Sequence, residues 1–515
     1  MSSINKEGFN GVSNSEQLNE LNQNKINQNK MNLNGQDNDT NELSEYRYGD
    51  LAETKTEVVK MPSFLNAQTP AEMRRVILKL AMPAMIEFGL MMLVQIIDMI
   101  QVGVLGPWAL AATGLVAQPT MLIFSVFSAL VVGTTALVAR AAGAGDSEYA
   151  SRVTRQSFVI VIIMSLITTA VCIPASGSIV KLMGADIDTI EPATIYMKIV
   201  MAGTIFTVGN MVLAAALRGA GDMVTPMISN LVANAFNLFG NWVLINGMLG
   251  FPRLEVAGAA LATTFSRVIA FFITLHAVYR RDKFIHISIH DSYKVEPEII
   301  KKVLNIGLPA AAEQLIMRGG ALLFARLIAG FGTIMFAAHQ VVINIDGLCL
   351  VPVMAFQMAT TTLVGQGLGA KNPEFSKKAT RQSIIVSVSI MMLIGVLLFS
   401  FGNYAVFVFT RDKQVIELGT SAIKILAISQ PIAAVFSVLG GALRGAGDTK
   451  YTMYISAIGV WAVRLGLGYL LADVLGFALI GAWIAVVADM LVRALLAQRR
   501  FSSGLWHKDI KAGEN

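Results

Sequence analysis

The hexapeptide LRGAGD occupies Leu217–Asp222 and returns at Leu443–Asp448, 226 positions later. The same offset joins much more of the chain. LAMPAMIE, with Pro83 and Glu87, falls on IGLPAAAE, with Pro309 and Glu313. TTALVARAAGAGDSEYASRVTRQS, from Thr134, falls on TTTLVGQGLGAKNPEFSKKATRQS, from Thr360. So long a register without slippage marks an internal duplication, and its unit must be found before the fold can be read.

Hydropathy defines that unit. Of 515 residues, 54% are hydrophobic and 14% charged, and the mean hydropathy is +0.60. From residue 78 onward, apolar runs of about twenty residues, the length that crosses a bilayer as a helix, follow one another with short breaks. Twelve are read, near 78–103, 110–138, 157–180, 197–217, 226–249, 255–278, 303–329, 336–365, 382–409, 421–443, 453–475 and 477–498. A membrane barrel would show shorter alternating segments. The expectation is an all-α polytopic membrane protein, with twelve transmembrane helices in two parallel six-helix repeat lobes. An even number of spans per copy gives both copies the same orientation, as in transporters that rock two lobes about a midplane site.

The expected organisation is a disordered cytoplasmic tail (1–74), an N-lobe (75–278), a cytoplasmic connecting loop (279–302), a C-lobe (303–500) and a short cytoplasmic tail (501–515). The first tail is Asn- and Gln-rich, as in NQNKINQNKMNLNGQDNDTN, and lacks the apolar periodicity a core needs. Arg74, Arg75, Arg140, Arg152, Arg155, Arg280, Lys301, Lys302, Lys377, Lys378, Arg499 and Arg500 all fall in loops on one side. That bias places both termini in the cytoplasm. It also accounts for most of the net charge of +6, so no nucleic-acid partner is implied. Cys172 and Cys349 lie within apolar runs and read as inert thiols. His286 and His290 in FIHISIH have the i, i+4 spacing of a helical metal pair, but the alternating pattern reads as a solvated loop.

Each LRGAGD has an economical reading. Arg218 and Arg444 supply cytoplasmic charge and snorkel outward. The glycines allow a tight helix exit, and Asp222 and Asp448 can cap the following helix. A share in closing a cytoplasmic gate is the functional reading. GxxxxGK[ST] is absent, so this is no phosphate loop.

Together with IIDMIQVG in the first span, NLFGNWVLI, VAGAALAT and FAAHQVVINI, the doubled LRGAGD resembles the multidrug and toxic compound extrusion (MATE) transporters over roughly residues 75–500. The resemblance implies antiport of organic, often cationic, compounds against Na+ or H+, by two six-helix lobes in a V. It further implies a multi-pass plasma-membrane protein, a monomer with small-molecule substrates and no cofactor beyond the coupling ion.

A carboxylate at mid-membrane costs about 2.5–3.5 kcal/mol even on insertion scales, so each acid there needs a reason. Glu87 and Asp98 are eleven residues apart, close to three helical turns, and share one face. Asn230, Asn234, Asn237 and Asn241 form a second polar stripe on the fifth span. Asp98 with the oxygens of Asn237 and Asn241 suits Na+, and a neutral Asp98 suits a proton. Thr263 is a weaker member of the same group, while Asn230 and Asn234 read as helix-packing amides. The resemblance supports the coupling role, since NLFGN matches the segment that carries a coupling residue in the family. Some members have Asp where this chain has Asn241, which leaves the choice of ion open.

The second lobe lacks this cluster. Asp98, Asn237 and Asn241 project onto Phe324, Val463 and Leu467, and Ala433 stands where some relatives carry an acid. Glu313 and Asp346 remain as secondary coupling or substrate candidates beside Glu87, and Asp489 with Arg493 reads as a helical i, i+4 ion pair. HExxH and GxSxG are absent, so an enzyme is not expected. The alternative reading is a flippase for a lipid-linked or polyprenyl-linked precursor.

Overall fold

The computed structural model describes residues 65, 67, 69–280, 283–288 and 290–507. The Asn- and Gln-rich tail up to residue 64, Arg281 and the last eight residues lie outside them. The described residues fall within one unit, Val58–Asn515.

Thirteen helices carry the fold among these residues: α1 Pro70–Gly103, α2 Pro107–Ala144, α3 Ser147–Leu182, α4 Ile187–Ala202, α5 Thr204–Ala220, α6 Val224–Asn246, α7 Glu255–Tyr279, α8 Pro297–Ala329, α9 Thr333–Gly369, α10 Pro373–Phe409, α11 Lys413–Gly445, α12 Thr449–Val474 and α13 Ala478–Ser502. Because α4 and α5 form one span bent by 46° at Gly203, the thirteen helices correspond to the twelve expected spans. Ten helices, or eleven spans with the bent pair, are long and apolar enough to cross a membrane. The remaining helix, α8, carries Glu313, Gln314 and Arg318 in its centre, which lowers its apolarity. Helices overrun the apolar runs, because polar turns at their ends stay helical beyond the hydrocarbon. Thus α8 starts at Pro297, inside the segment expected to be a loop.

The duplication is visible in individual bonds. Thr135 Oγ1 donates to the Ala215 carbonyl at 3.2 Å, and Thr361 Oγ1, 226 residues on, donates to the Gly441 carbonyl at 3.0 Å. Asp146 accepts from the Tyr149 N–H and caps α3; Asn372 accepts from the Phe375 N–H and caps α10. In both LRGAGD turns the second glycine adopts a left-handed conformation, Gly221 at φ 95° and Gly447 at φ 81°, which a side chain would strain. The next N–H then reaches back five residues, Asp222 to Leu217 and Asp448 to Leu443, each at 2.9 Å. The sequence repeat is therefore a repeat of helix-termination geometry.

The lobes meet where the LRGAGD turns lie. Gly143 on α2 packs against the backbone of Gln366, and its repeat mate Gly369 packs against the backbone of Arg140, the mate of Gln366. Small residues in both positions let α2 and α9 approach backbone to backbone. Across the same boundary Arg140 Nη2 donates to the Ala446 carbonyl at 3.0 Å, Thr362 Oγ1 to the Arg218 carbonyl at 2.9 Å and Gln366 Nε2 to the Gly219 carbonyl at 2.9 Å.

Candidate functional site

The polar stripe of α1 meets the stripe of α6. Asn230 Nδ2 donates to Glu87 Oε1 at 2.7 Å, and Asn241 Nδ2 donates to Asp98 Oδ1 at 2.7 Å. Both bonds span 143 residues, so the two helices run in the same direction with two polar rungs eleven residues apart. At 1.5 Å rise per residue the rungs are separated by about 16 Å along the helices.

The Asp98 rung collects the expected coupling residues. Asn237 lies between Asp98 and Thr263 of α7. With its amide nitrogen toward the carboxylate it donates to Oδ1 at 2.8 Å and Oδ2 at 3.2 Å, while its oxygen accepts from Thr263 Oγ1 at 3.2 Å. This orientation satisfies both neighbours, and the hydrogen-bond network selects it. Asn237 and Asn241 are only 3% and 1% exposed, whereas Asp98 is half-buried. Asn241 therefore presents an N–H group to the carboxylate, and Asn237 does so when its nitrogen faces Asp98. Asn241 Oδ1 is buried and has no donor among the described residues.

Arg267 follows Thr263 by one turn on α7, on the side of that helix that meets Asn237. The sequence held a signal for Arg267: an arginine in the middle of an apolar span, four residues after Thr263, demands an acid or a cavity.

The Glu87 rung is committed differently. Arg218 Nη2 of α5 meets Glu87 Oε1 at 2.5 Å, and the carboxylate is 2% exposed. In the other lobe Arg444 Nη2 meets Glu313 Oε1 at 2.7 Å, and Thr452 and Ser456 each add a bond to that carboxylate at 2.9 Å. The outward snorkelling expected of the two arginines is therefore not what they do. A matched acid one helix away outcompetes solvent for them. The aspartates diverge as well. Asp222 caps α6 through the Thr225 N–H at 2.9 Å and also takes Thr225 Oγ1 and Lys283. Burial pushes its carboxyl up, but the Thr225 bonds and the Lys283 ammonium together outweigh that and hold it below its ordinary value. Asp448 does not cap α12 through its side chain and binds Arg500 at 2.7 Å instead.

The second lobe has its own buried charge cluster. Asp489 accepts from Arg493 at 2.7 Å, as the i, i+4 spacing predicts, and also from Arg464 of α12 at 2.7 Å. Arg464 lies in a π-helical stretch, Ile458–Leu467, with no counterpart in α6. Asp346 faces Gln430 and lies within electrostatic range of Arg464. His339 is 1% exposed beside Phe324 and Trp483, and neither of its ring nitrogens has a partner among the described residues. His286 and His290 do not share a helix, and no group of three metal-ligating side chains occurs among the described residues.

The MatE family model matches residues 83–243 and 309–470, one match in each repeat. The chain belongs to the MatE family. A protein of Thermotoga maritima named probable multidrug resistance protein NorM is 32% identical over 449 residues, covering 87% of this chain and 96% of that protein. The uncharacterized transporter YisQ of Bacillus subtilis is 28% identical, with 85% and 96% covered. A solved MATE transporter of the MOP superfamily in an outward-facing conformation superposes with a TM-score of 0.80 at 26% identity, covering 88% of this chain and 99% of that one. A MATE structure in a straight conformation gives a TM-score of 0.78 at 27% identity, with 87% and 99% covered. The chain is accordingly a multi-pass membrane transporter of this family and not an enzyme, as the resemblance implied.

Proposed function

We propose that this MatE-family transporter exports organic, lipophilic and cationic compounds in exchange for Na+ or H+, by alternating access of a site between its lobes. The observation that carries the reading is the Asp98 carboxylate held by Asn237 and Asn241 in one lobe only. A single ionisable acid seated among amides is a group whose charge an ion can cancel, and cancelling it changes what the two polar stripes can hold together. Coupling follows when the ion and the substrate favour different arrangements of the same lobe. The contacts of Arg140, Thr362 and Gln366 across the LRGAGD turns then serve as the closed cytoplasmic gate of one such arrangement. The matched Glu87–Arg218 and Glu313–Arg444 pairs hold each turn to the first helix of its own lobe. In this reading the protein works as a monomer in the plasma membrane with both termini in the cytoplasm. The name of the Thermotoga maritima relative supports the substrate class.

The test is efflux of a fluorescent lipophilic cation from proteoliposomes, with Na+ and pH gradients imposed separately on wild type and on Asp98→Asn. Transport driven by one gradient and lost in the variant supports coupling at Asp98. Coupled transport that survives the substitution transfers the role to Glu313 or Asp346. No transport under either gradient favours a lipid-linked precursor as the cargo.

A further inference from the structure

The 226-residue offset relates two seams at the LRGAGD end of the molecule. In one the start of α8 lies beside α3, and in the other the start of α1 lies beside α10. A glutamine ties each seam. Gln156 Nε2 donates to the Lys294 carbonyl at 2.7 Å, and its Oε1 accepts from the Glu296 N–H at 3.0 Å. Its repeat mate Gln382 accepts from Arg74 Nε at 2.8 Å. The charges around the two glutamines differ. In the first seam Arg152 pairs with Glu296, and Arg155 with Asp291 at 2.6 Å. The mates of these arginines, Lys378 and Arg381, are exposed and have no ion pair among the described residues. The places of Asp291 and Glu296 are taken by Leu65 and Pro70, which carry no charge.

The start of α1 adds to this excess. Arg74, Arg75 and Lys79 are exposed; Arg74 meets the neutral Gln382 amide, and the other two have no ion pair among the described residues. Two acids border the five cations. Glu374 is paired with Lys377 at 2.8 Å, and Glu72 accepts from the Thr69 N–H in a capping box. The cations also continue into apolar helix faces. On α1, Arg75 and Lys79 are followed at helical spacing by the exposed Met82 and Ile86. On α10, Lys378 and Arg381 are followed by the exposed Ile385 and Met392. Between the helices Met73, Ile77 and Ala81 pack in one cluster with Phe375 and Ala379. A soluble acidic partner would match the cations and leave the apolar faces without use. A phospholipid matches both, with its phosphate at the cations and its chains along the exposed methionines and isoleucines.

We propose that the α1–α10 seam is a binding site for an anionic phospholipid, whose phosphate takes the place that Glu296 and Asp291 fill in the other seam. Arg75 and Arg381 offer forked N–H donors to phosphate oxygens, and Lys79 and Lys378 add compact positive charge. Basic pockets between membrane helices hold such headgroups. The bound lipid fastens the first helix of one repeat to the third helix of the other, as the connecting segment fastens α8 to α3.

The full chain, purified and delipidated in a neutral detergent, is titrated with dioleoyl phosphatidylglycerol, dioleoyl phosphatidylcholine and glycerol phosphate. Melting temperature and the lipid retained in native mass spectra are read together. Wild type should melt higher, saturably, as phosphatidylglycerol is added, and should retain it in preference to phosphatidylcholine. Arg75→Gln with Lys79→Gln, and Lys378→Gln with Arg381→Gln, should each raise the half-saturating concentration on the order of tenfold. All four side chains are exposed, so these exchanges leave the packing intact. Retained lipid reports binding even where the starting melting temperature shifts. Lys301→Gln with Lys302→Gln, at the other seam, should match wild type. Equal weakening by all three pairs overturns the proposal, because a general surface potential then accounts for the effect. Weakening by one of the two seam pairs alone overturns the placement between helices. Equal stabilisation by the two lipids also overturns it, as does a saturable response to glycerol phosphate equal to that of the lipid, which makes the ligand a soluble anion.

Discussion

Arg218 Nη2 and Glu87 Oε1 lie 2.5 Å apart, joining the LRGAGD turn of one lobe to the first helix of that lobe. The contact repeats at Arg444 and Glu313. Two copies of one ion pair, in a chain whose lobes differ elsewhere in their polar residues, mark a requirement of the repeat unit itself. The pair combines a 2% exposed carboxylate with a largely buried guanidinium, so neither partner has water to fall back on.

Removing one partner of such a pair costs about 3–5 kcal/mol, because the other charge stays buried and uncompensated. Glu87→Ala and Arg218→Ala should each lower the detergent melting temperature sharply, while Glu87→Leu combined with Arg218→Met should recover much of the loss. Glu313→Ala should be the more damaging of the equivalent changes, since Thr452 and Ser456 lose their acceptor too. Thermal unfolding of the single and double variants decides the point.

Asn241 contributes a 2.7 Å donor to Asp98. A hydrogen bond to a charged group is worth about 1.5–3 kcal/mol, which corresponds to roughly ten- to a hundredfold in an equilibrium constant. Asn241→Leu should displace by about that factor the ion concentration giving half-maximal efflux, with expression unchanged. Asn230→Leu, on the Glu87 rung, should affect stability more than ion dependence. Efflux measured across a series of gradients separates the two effects.

Gly143 and Gly369 leave no room for a Cβ between α2 and α9. Gly369→Val should push the lobes apart at the LRGAGD end while each lobe stays folded. Spin labels at the exposed repeat mates Glu148 and Glu374, in a background where Cys172 and Cys349 are serine, should move further apart once Gly369→Val is added. An unchanged distance would show that this contact is not what holds the ends together.

Asp222 is held below its ordinary value of 3.8. A carboxylate with a lowered folded-state pKa stabilises the fold above its unfolded value, and that stability is lost as pH falls through the folded value. The cap is worth about 1 kcal/mol. Asp222→Ala should therefore melt below wild type by a constant margin from neutral pH down to about pH 4, with the margin closing at more acid pH. Melting curves of both proteins across that range check the sign.

Several of these relationships are legible in the amino-acid sequence. The 226-residue offset identifies the duplication, and apolar length identifies the spans, because a bilayer imposes helices of about twenty residues regardless of what they pack against. Helical periodicity puts Glu87 with Asp98 and aligns the four asparagines of α6, since a period of 3.6 assigns faces within one helix. From that follows the expectation that Asp98, Asn237 and Asn241 belong together, and the two stripes do meet.

Periodicity does not say which face of which helix lies opposite, and that is settled by how the helices pack. Arg218 and Arg444 carry the sequence signature of outward-snorkelling residues, yet the acids opposite them turn both inward. Asp222 and Asp448 stand in identical hexapeptides, but Lys283 and Thr225 surround the first and Arg500 claims the second. Asn241 is one amide of a stripe until α6 packs against α1 and its nitrogen meets the Asp98 carboxylate. Thr263 is just a hydroxyl in an apolar span until α7 packs against α6 and brings it to Asn237. In each case the outcome is set by the charged or polar group on a neighbouring helix far away in the chain. Local sequence specifies the helix and its polar face; the long-range packing of helices chooses the partner, because a buried charge takes whatever opposite charge or dipole the fold brings within reach.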